Sequence, residues 1–315
     1  MNLFKAVTNY VAYHKTLGEL FLTNERILKH FVRTVGQKAN LSDVKPKQVN
    51  KFLRGTGAVT ATWHVKHQAL RGFYCYLISR GYIKISPLPL VVPKRPPPFL
   101  PYIYSRQELR SLLDASFTYQ KNRGRLEPYM VRILLLLLYG AGLRIKETVS
   151  LTLADVDIDQ ALLTIRETKF HKTRLVPLGR QLNQALTQYA AKRKSDGYSQ
   201  DPQSYFFIGR NGKSVNQFTM EQAFQRIREQ ANVRRTDGAT YQPRLHDLRH
   251  TFAVHRLTTW YKQGADVQKL LPILSVYLGH HQLAATSVYL TMTPTLLHQA
   301  NLRFENYALK ENSHD

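Results

Sequence analysis

Residues 86–101 read Ser86-Pro87-Leu88-Pro89-Leu90-Val91-Val92-Pro93-Lys94-Arg95-Pro96-Pro97-Pro98-Phe99-Leu100-Pro101. Proline locks φ and has no amide hydrogen to donate, so a run this dense is excluded from helix interiors and central strands. It reads as a stiff, extended linker. The sequence therefore predicts a first domain over 1–92, a linker over 93–101 and a second domain over 102–315.

Upstream of the prolines the pattern is helical. Asn2 to Thr16 places Leu3, Val7, Tyr10, Val11 and His14 on one side. Thr23 is the expected N-cap of a second helix reaching Val35, since its hydroxyl can take a free amide of the first turn. A third helix is expected over Ser42–Arg54, ended by Gly55 and Gly57, and a fourth over Thr60–Arg80. In the fourth, Leu70, Phe73, Tyr74 and Leu77 form one apolar stripe.

Downstream, Ser105 and Glu108 have the spacing of a capping box for a helix to about Phe117. Pro128 opens a helix that is apolar through Leu138 and so should lie in the core. Three β-type runs follow, Asp155–Ile158, Leu162–Thr168 and Arg174–Leu178, which suit a small antiparallel sheet. Tyr205–Ile208 is a further strand-like run. The rest is helical, ending in a helix over 294–309. The expected fold class is mainly α with a small antiparallel β-sheet (α+β).

The 315 residues carry 45 Lys plus Arg against 21 Asp plus Glu, a formal charge of +24, with 43% apolar residues. That apolar share supports packed cores rather than disorder. One cysteine, Cys75, excludes an internal disulfide and thiolate-rich zinc sites. The longest apolar run, Ile133–Tyr139, falls far short of the roughly 20 residues of a membrane span. No leader-like apolar segment occurs in Met1–Lys15. These features point to a soluble, intracellular protein whose field draws a polyanion, with nucleic acid the obvious one. Residues 1–95 hold 16 Lys or Arg and only 3 acidic residues. An excess spread over four helices calls for an external counter-charge, so Lys45, Lys47, Lys51, Arg54, Lys66 and Arg71 are candidate phosphate contacts.

His246 and His250, in His246-Asp247-Leu248-Arg249-His250, have the i, i+4 spacing of a zinc pair. The metalloprotease version places Glu after the first His. Here Asp247 stands there and the cation Arg249 sits between the two imidazoles, so neither metal nor cofactor is expected. A dispersed set is more telling: Gly142-Leu143-Arg144-Ile145-Lys146-Glu147, then Lys169, then His246 and Arg249, then Leu278-Gly279-His280, and Tyr289 nine residues after that His. Singly each has a bland reading. Tyr289 is one of 18 tyrosines, Arg144 could cap a helix, and His280 could be a satisfied core histidine. In this order and spacing the sequence resembles the tyrosine recombinases, or phage integrase family, along its whole length.

The resemblance implies roles for these positions. Arg144 and Arg249 match the family's catalytic arginines, Glu147 the acid that supports the first, and Lys169 the hairpin lysine. His246 matches the histidine of the His-x-x-Arg pair, His280 the second histidine and Tyr289 the nucleophile. Lys172 rivals Lys169; counting back from Val176-Pro177-Leu178 favours Lys169. Lys146 stands where the family commonly has a small polar residue, and it and Lys172 are expected to face DNA. The chemistry is coherent. A phenol attacks phosphorus, and two guanidiniums grip the phosphoryl oxygens. Lys169 protonates the leaving 5′-oxygen, and His246 accepts or returns the tyrosyl proton.

The implied activity is site-specific recombination through a 3′-phosphotyrosyl link and a Holliday junction. The implied assembly is a homotetramer on double-stranded DNA at the nucleoid, with partner recombinases an option and the last helix exchanged between protomers. Leu271-Pro272-Ile273-Leu274-Ser275 and the long stretch before it resemble transposon-borne members. Two rivals stand beside this reading: a type IB topoisomerase-like enzyme, and a non-catalytic DNA-binding protein derived from a recombinase.

Overall fold

The computed structural model describes residues 1–55, 59–96, 99–120, 124–166, 173–239, 241–292 and 294–311. The chain divides into two units, Met1–Phe99 and Leu100–Asp315.

Among the described residues the first unit is built of four α-helices, α1 (Leu3–Thr16), α2 (Leu22–Val35), α3 (Pro46–Arg54) and α4 (Ala61–Ser79). The side chain of Asn2 accepts the amides of Phe4 and Lys5 and so starts α1. Helix α4 buries Trp63, His67, Leu70, Tyr74 and Leu77 at three- and four-residue steps, against Leu28 and Phe31 of α2.

Two of the expected helix starts are corrected. Helix α2 begins at Leu22, one residue before the expected cap Thr23, and its N-cap Phe21 makes no side-chain hydrogen bond. Phe21 adopts a left-handed φ of 47° and lays its ring on His14, with centroids 4.0 Å apart and planes 4° from parallel. Ring stacking fixes this entry where a cap was expected. The helix expected over Ser42–Arg54 is interrupted. Pro46 forces Lys45 out of the helical region, to φ −92° and ψ 150°. Leu41–Asp43 forms a separate 3-10 turn instead, closed by Asn40 and Asp43.

The second unit contains α5 (Arg106–Thr118), α6 (Pro128–Gly140), α7 (Ile145–Val149), strands β1 (Val156–Asp157), β2 (Leu162–Ile165) and β3 (Arg174–Pro177), then α8 (Arg180–Ser195) and α9 (Gln217–Gln230). It closes with α10 (Asp247–Lys262), α11 (Val267–Leu278), α12 (Ala284–Ser287), a 3-10 turn Val288–Thr291 and α13 (Pro294–Glu311). Ser105 and Glu108 exchange the two bonds of a capping box at α5. Helix α6 buries Val131, Leu134, Leu137 and Leu138 and packs on α5, α8 and α10, so it is the centre of this core.

The three strands are antiparallel in the order β1-β2-β3, with Leu163 opposite Val176 and both buried. The strand expected to reach Thr168 ends at Ile165, and residues 167–172 lie outside the described residues. Tyr205–Ile208 is not a strand. Tyr205 and Ile208 make isolated bridges to Thr152 and Ser214, while Phe206 and Phe207 bury their rings. Those aromatic residues were core anchors imitating a strand. A second apolar cluster, with Phe252, Leu257, Leu274, Leu278 and Tyr289, joins α10 to the C-terminal segment. Helix α13 packs on α10. No described helix is long and apolar enough to cross a membrane.

Candidate active site

The loop after α6 delivers the first cation. Gly142 has φ +60°, and a Cβ there would lie 2.4 Å from the ring of Phe252, so glycine alone fits both backbone and space. Two residues on, Arg144 immediately precedes α7. Glu147 accepts the Arg144 amide at 3.0 Å and Nη1 of the same residue at 2.8 Å, while Nη2 donates to the Gly279 carbonyl at 3.0 Å. The Arg144 side chain keeps 36% of its surface open, so its charge is both oriented and accessible.

Arg249, in the first turns of α10, is only 2% exposed. Its Nη1 donates to the Gly142 carbonyl at 2.6 Å and its Nη2 to that of Leu278. Burial, then the charge of Arg144, pulls its pKa down to about 10, which leaves it cationic at neutral pH. These bonds bring the loop after α6, the start of α10 and the end of α11 to one point.

Gly279 ends α11 in the left-handed conformation and turns the chain into His280. His280 shares a 2.7 Å hydrogen bond between Nδ1 and Oγ1 of Thr286. Tyr289 lies on the 3-10 turn after α12, 2% exposed. Its ring is 6.1 Å from that of His280, and its hydroxyl is 3.1 Å from Nδ1 of His250. Burial pushes the phenol's pKa up, and the charges of Arg249 and Arg144 oppose the rise. His246 stands edge-on to His250, with ring centroids 4.8 Å apart. Burial lowers His246, His250 and His280 alike to about 4, aided by nearby cations, so all three are neutral at physiological pH.

Glu147 carries a second arginine that the sequence reading did not single out. Arg174 of β3 reaches its two oxygens at 3.1 and 2.8 Å and donates Nε to the Tyr277 carbonyl. Burial alone would raise the Glu147 carboxyl, but the bonds and charges of Arg174 and Arg144 hold it at about 2. His250 also lies outside the set that the resemblance assigns, and in the sequence it stands out only as a zinc partner for His246. Its i, i+4 relation to His246 was the available signal, because that spacing puts both rings on one helix face.

Other candidates lie elsewhere. Lys169 and Lys172 fall outside the described residues. Lys146 is exposed on α7. In the first unit Lys45, Lys47, Lys51, Arg54 and Arg71 are exposed, and Lys47, Lys51 and Arg54 follow one face of α3. Lys66 differs. Its ammonium donates to the Phe52 carbonyl at 2.8 Å and sits 4.6 Å from the centre of the Phe52 ring, so it ties α3 to α4.

Two fixed guanidiniums, three neutral imidazoles and a buried phenol form an arrangement suited to a tetrahedral anion. The arginines can spread a phosphoryl group's charge, the imidazoles can give or take protons, and the phenol can attack.

Comparison with known proteins places this chain in a family. The model described as the phage integrase family matches residues 104–295. A Sinorhizobium fredii protein named as an integrase/recombinase is 34% identical over 310 residues, covering 97% of this chain and 98% of its own. Tyrosine recombinase XerD of Pseudomonas putida is 30% identical over 256 residues, covering 81% of this chain and 74% of its own. Among solved structures, the Tn1549 transposon integrase in complex with transposon right end DNA aligns with a TM-score of 0.69 at 17% identity, over 98% of this chain and 100% of that one. A lambda integrase dimer bound to a COC′ core site aligns at 0.65 and 15%, over 93% and 78%. At those identities the two structures speak for the fold.

Proposed function

The chain belongs to the phage integrase family, and we propose that Tyr289 is the nucleophile with which this tyrosine-type site-specific DNA recombinase cuts and rejoins DNA strands. The Tyr289 oxygen attacks the scissile phosphorus, a 3′-phosphotyrosyl bond forms, and the 5′-oxygen leaves with a proton that Lys169 supplies. Arg144 and Arg249 spread the charge that develops on the phosphoryl oxygens, and His280 donates a hydrogen bond to one of them. The covalent link keeps the energy of the broken ester, so religation to a new 5′-hydroxyl proceeds without ATP. One observation carries this reading. Arg249 bonds to the carbonyls of Gly142 and Leu278, and these bonds gather two cations, an imidazole and a tyrosine from segments more than a hundred residues apart.

The exposed cations of α3 and Arg71 supply phosphate contacts to the duplex, and the second unit carries the chemistry. Residues 1–92 act as the DNA-gripping domain and 102–315 as the catalytic one. Four protomers work on two duplexes at the nucleoid, exchange one strand pair, pass through a Holliday junction and repeat with the second pair. That assembly admits partner recombinases as an option and shares α13 between protomers. The Leu271–Ser275 phrase, which lies inside α11, aligns the enzyme with mobile elements.

The test is cleavage of nicked duplexes taken from the DNA flanking the gene, read on a denaturing gel for the wild type and Tyr289→Phe. A protein–DNA adduct in the wild type alone is expected. Adduct in both lanes overturns Tyr289 as the nucleophile.

A further inference from the structure

The hydroxyl of Tyr289 makes a hydrogen bond to a residue outside the set that the family resemblance assigns. Its partner is Nδ1 of His250, at 3.1 Å, with the two rings inclined by 57° and their centroids 5.6 Å apart. Among the described residues no hydrogen bond joins Tyr289 to His246, the imidazole first expected to handle its proton. His250 occupies the third position of helix α10 after Asp247, one residue beyond the phosphate-gripping Arg249, so its backbone is fixed by the same helical turn. Tyr289 belongs to the same buried apolar cluster as Phe252, Leu274 and Leu278.

From this contact we propose that His250 is a catalytic residue of the strand-cleavage step, the group that takes the phenolic proton of Tyr289 as it attacks and returns it on religation. With the ring's own hydrogen on Nε2, Nδ1 presents its lone pair to the phenol. In the forward step the O–H bond of Tyr289 breaks and its proton passes to Nδ1, while the phenolic oxygen bonds to phosphorus. The ester bond to the 5′-oxygen breaks, and that oxygen takes a proton from the separate acid. Religation runs each transfer backwards, so neither an oxidant nor a co-reactant is needed.

Three observations support this division of labour. Burial raises the phenol's pKa, so the nucleophile rests neutral and needs an acceptor. His250 is unprotonated above about pH 4, so the acceptor is ready. The charged or titratable groups around His250 are Arg244, His246 and Arg249 on its own helix stretch, with Tyr289 and His280 facing it from the C-terminal segment. Asp247, one helical turn before His250, gives its carboxylate to the amide and guanidinium of Arg244.

The inference rests on Tyr289 being the nucleophile, and the test separates the two. Initial rates of adduct formation on a nicked duplex are measured for the wild type, His250→Gln and His250→Asn, each checked for DNA affinity and thermal stability. Each is made with tyrosine and with ring-fluorinated, more acidic tyrosine at position 289. Both amides can hold the phenol by a hydrogen bond but cannot take its proton. The expected result is unchanged DNA affinity and a rate lowered about 100-fold in both variants, with at least a tenfold recovery on fluorination that the wild type does not show. Wild-type rates in either folded variant overturn the proposal, as does an equal slowing with both phenols, which marks His250 as a packing residue. An absence of adduct in the wild type itself overturns the underlying reading and the inference with it.

Discussion

Arg174 and Glu147, on strand β3 and helix α7, face each other with both carboxylate oxygens engaged at 3.1 and 2.8 Å, each side chain only 9% exposed. The same carboxylate also grips Arg144. Arg174 therefore reaches Arg144 through one shared anion, and its Nε bond to Tyr277 extends the hold to the end of α11. A strand with no part in the chemistry thus sets where Arg144 points.

Removing that anion leaves a buried guanidinium unpaired. Glu147→Ala is expected to lose about 3–5 kcal/mol of stability, read by denaturant unfolding. Arg174→Lys, which keeps the charge but not the fork, should slow DNA cleavage more than it weakens DNA binding. Equal losses in rate and affinity would refute Arg174 as a positioning residue.

Acid should destabilise the second unit in two separable windows. His246, His250 and His280 titrate in the fold at about 4, below their ordinary 6.5. The unfolded chain therefore binds more protons, and stability falls as pH drops from 6.5 towards 4. Glu147, at about 2 against an ordinary 4.5, contributes stability above 4.5 that is lost between there and 2. Thermal unfolding from pH 7.5 to 3 is expected to show both declines, and Glu147→Gln to remove only the lower one.

Gly279 is a point where backbone and site collide. Its φ is +66°, and a Cβ would lie 2.7 Å from Nη1 of Arg174. Gly279→Ala should cost about 1–2 kcal/mol, a fall in Tm of roughly 2–8 °C. Because Arg174 must move aside, cleavage should slow even at temperatures where the variant is fully folded. A stable variant with wild-type rates would show that the arginine yields freely.

The cations of the first unit should separate by role. Lys66→Ala is expected to lower stability by about 1 kcal/mol through its carbonyl bond to Phe52, leaving the salt dependence of DNA binding unchanged. Lys47→Ala with Lys51→Ala should leave stability alone and reduce the slope of log affinity against log salt by about 2. Binding isotherms between 50 and 300 mM salt decide it.

Much of the architecture was legible because its signals are local. The apolar run of α6, the Ser105–Glu108 box and the alternation around Leu163 and Val176 each declare themselves within a few residues. Where reading failed, a distant partner or a single proline had decided. Pro46 split one expected helix, and a ring stacked on His14 started another. Phe206 and Phe207 looked like strand and proved to be anchors. In the candidate site, residue types and spacing pointed to Arg144, Arg249, His280 and Tyr289, which the fold brings together. Arg174 did not, because an arginine in a short strand looks ordinary until its carboxylate arrives from 27 residues away. His250 was visible only as half of a rejected metal pair.

Arg249 is moored to the carbonyl oxygens of Gly142 and Leu278, and main-chain oxygens are not encoded by any codon. Whatever side chain stands at 278, the same acceptor is offered as long as the helix ends there. Descendants of this enzyme can thus exchange much of the lettering around this buried cation and inherit its orientation intact. What they cannot alter is the course of the chain itself. At Gly142, where any side chain would strike Phe252, that course depends on the smallest residue available.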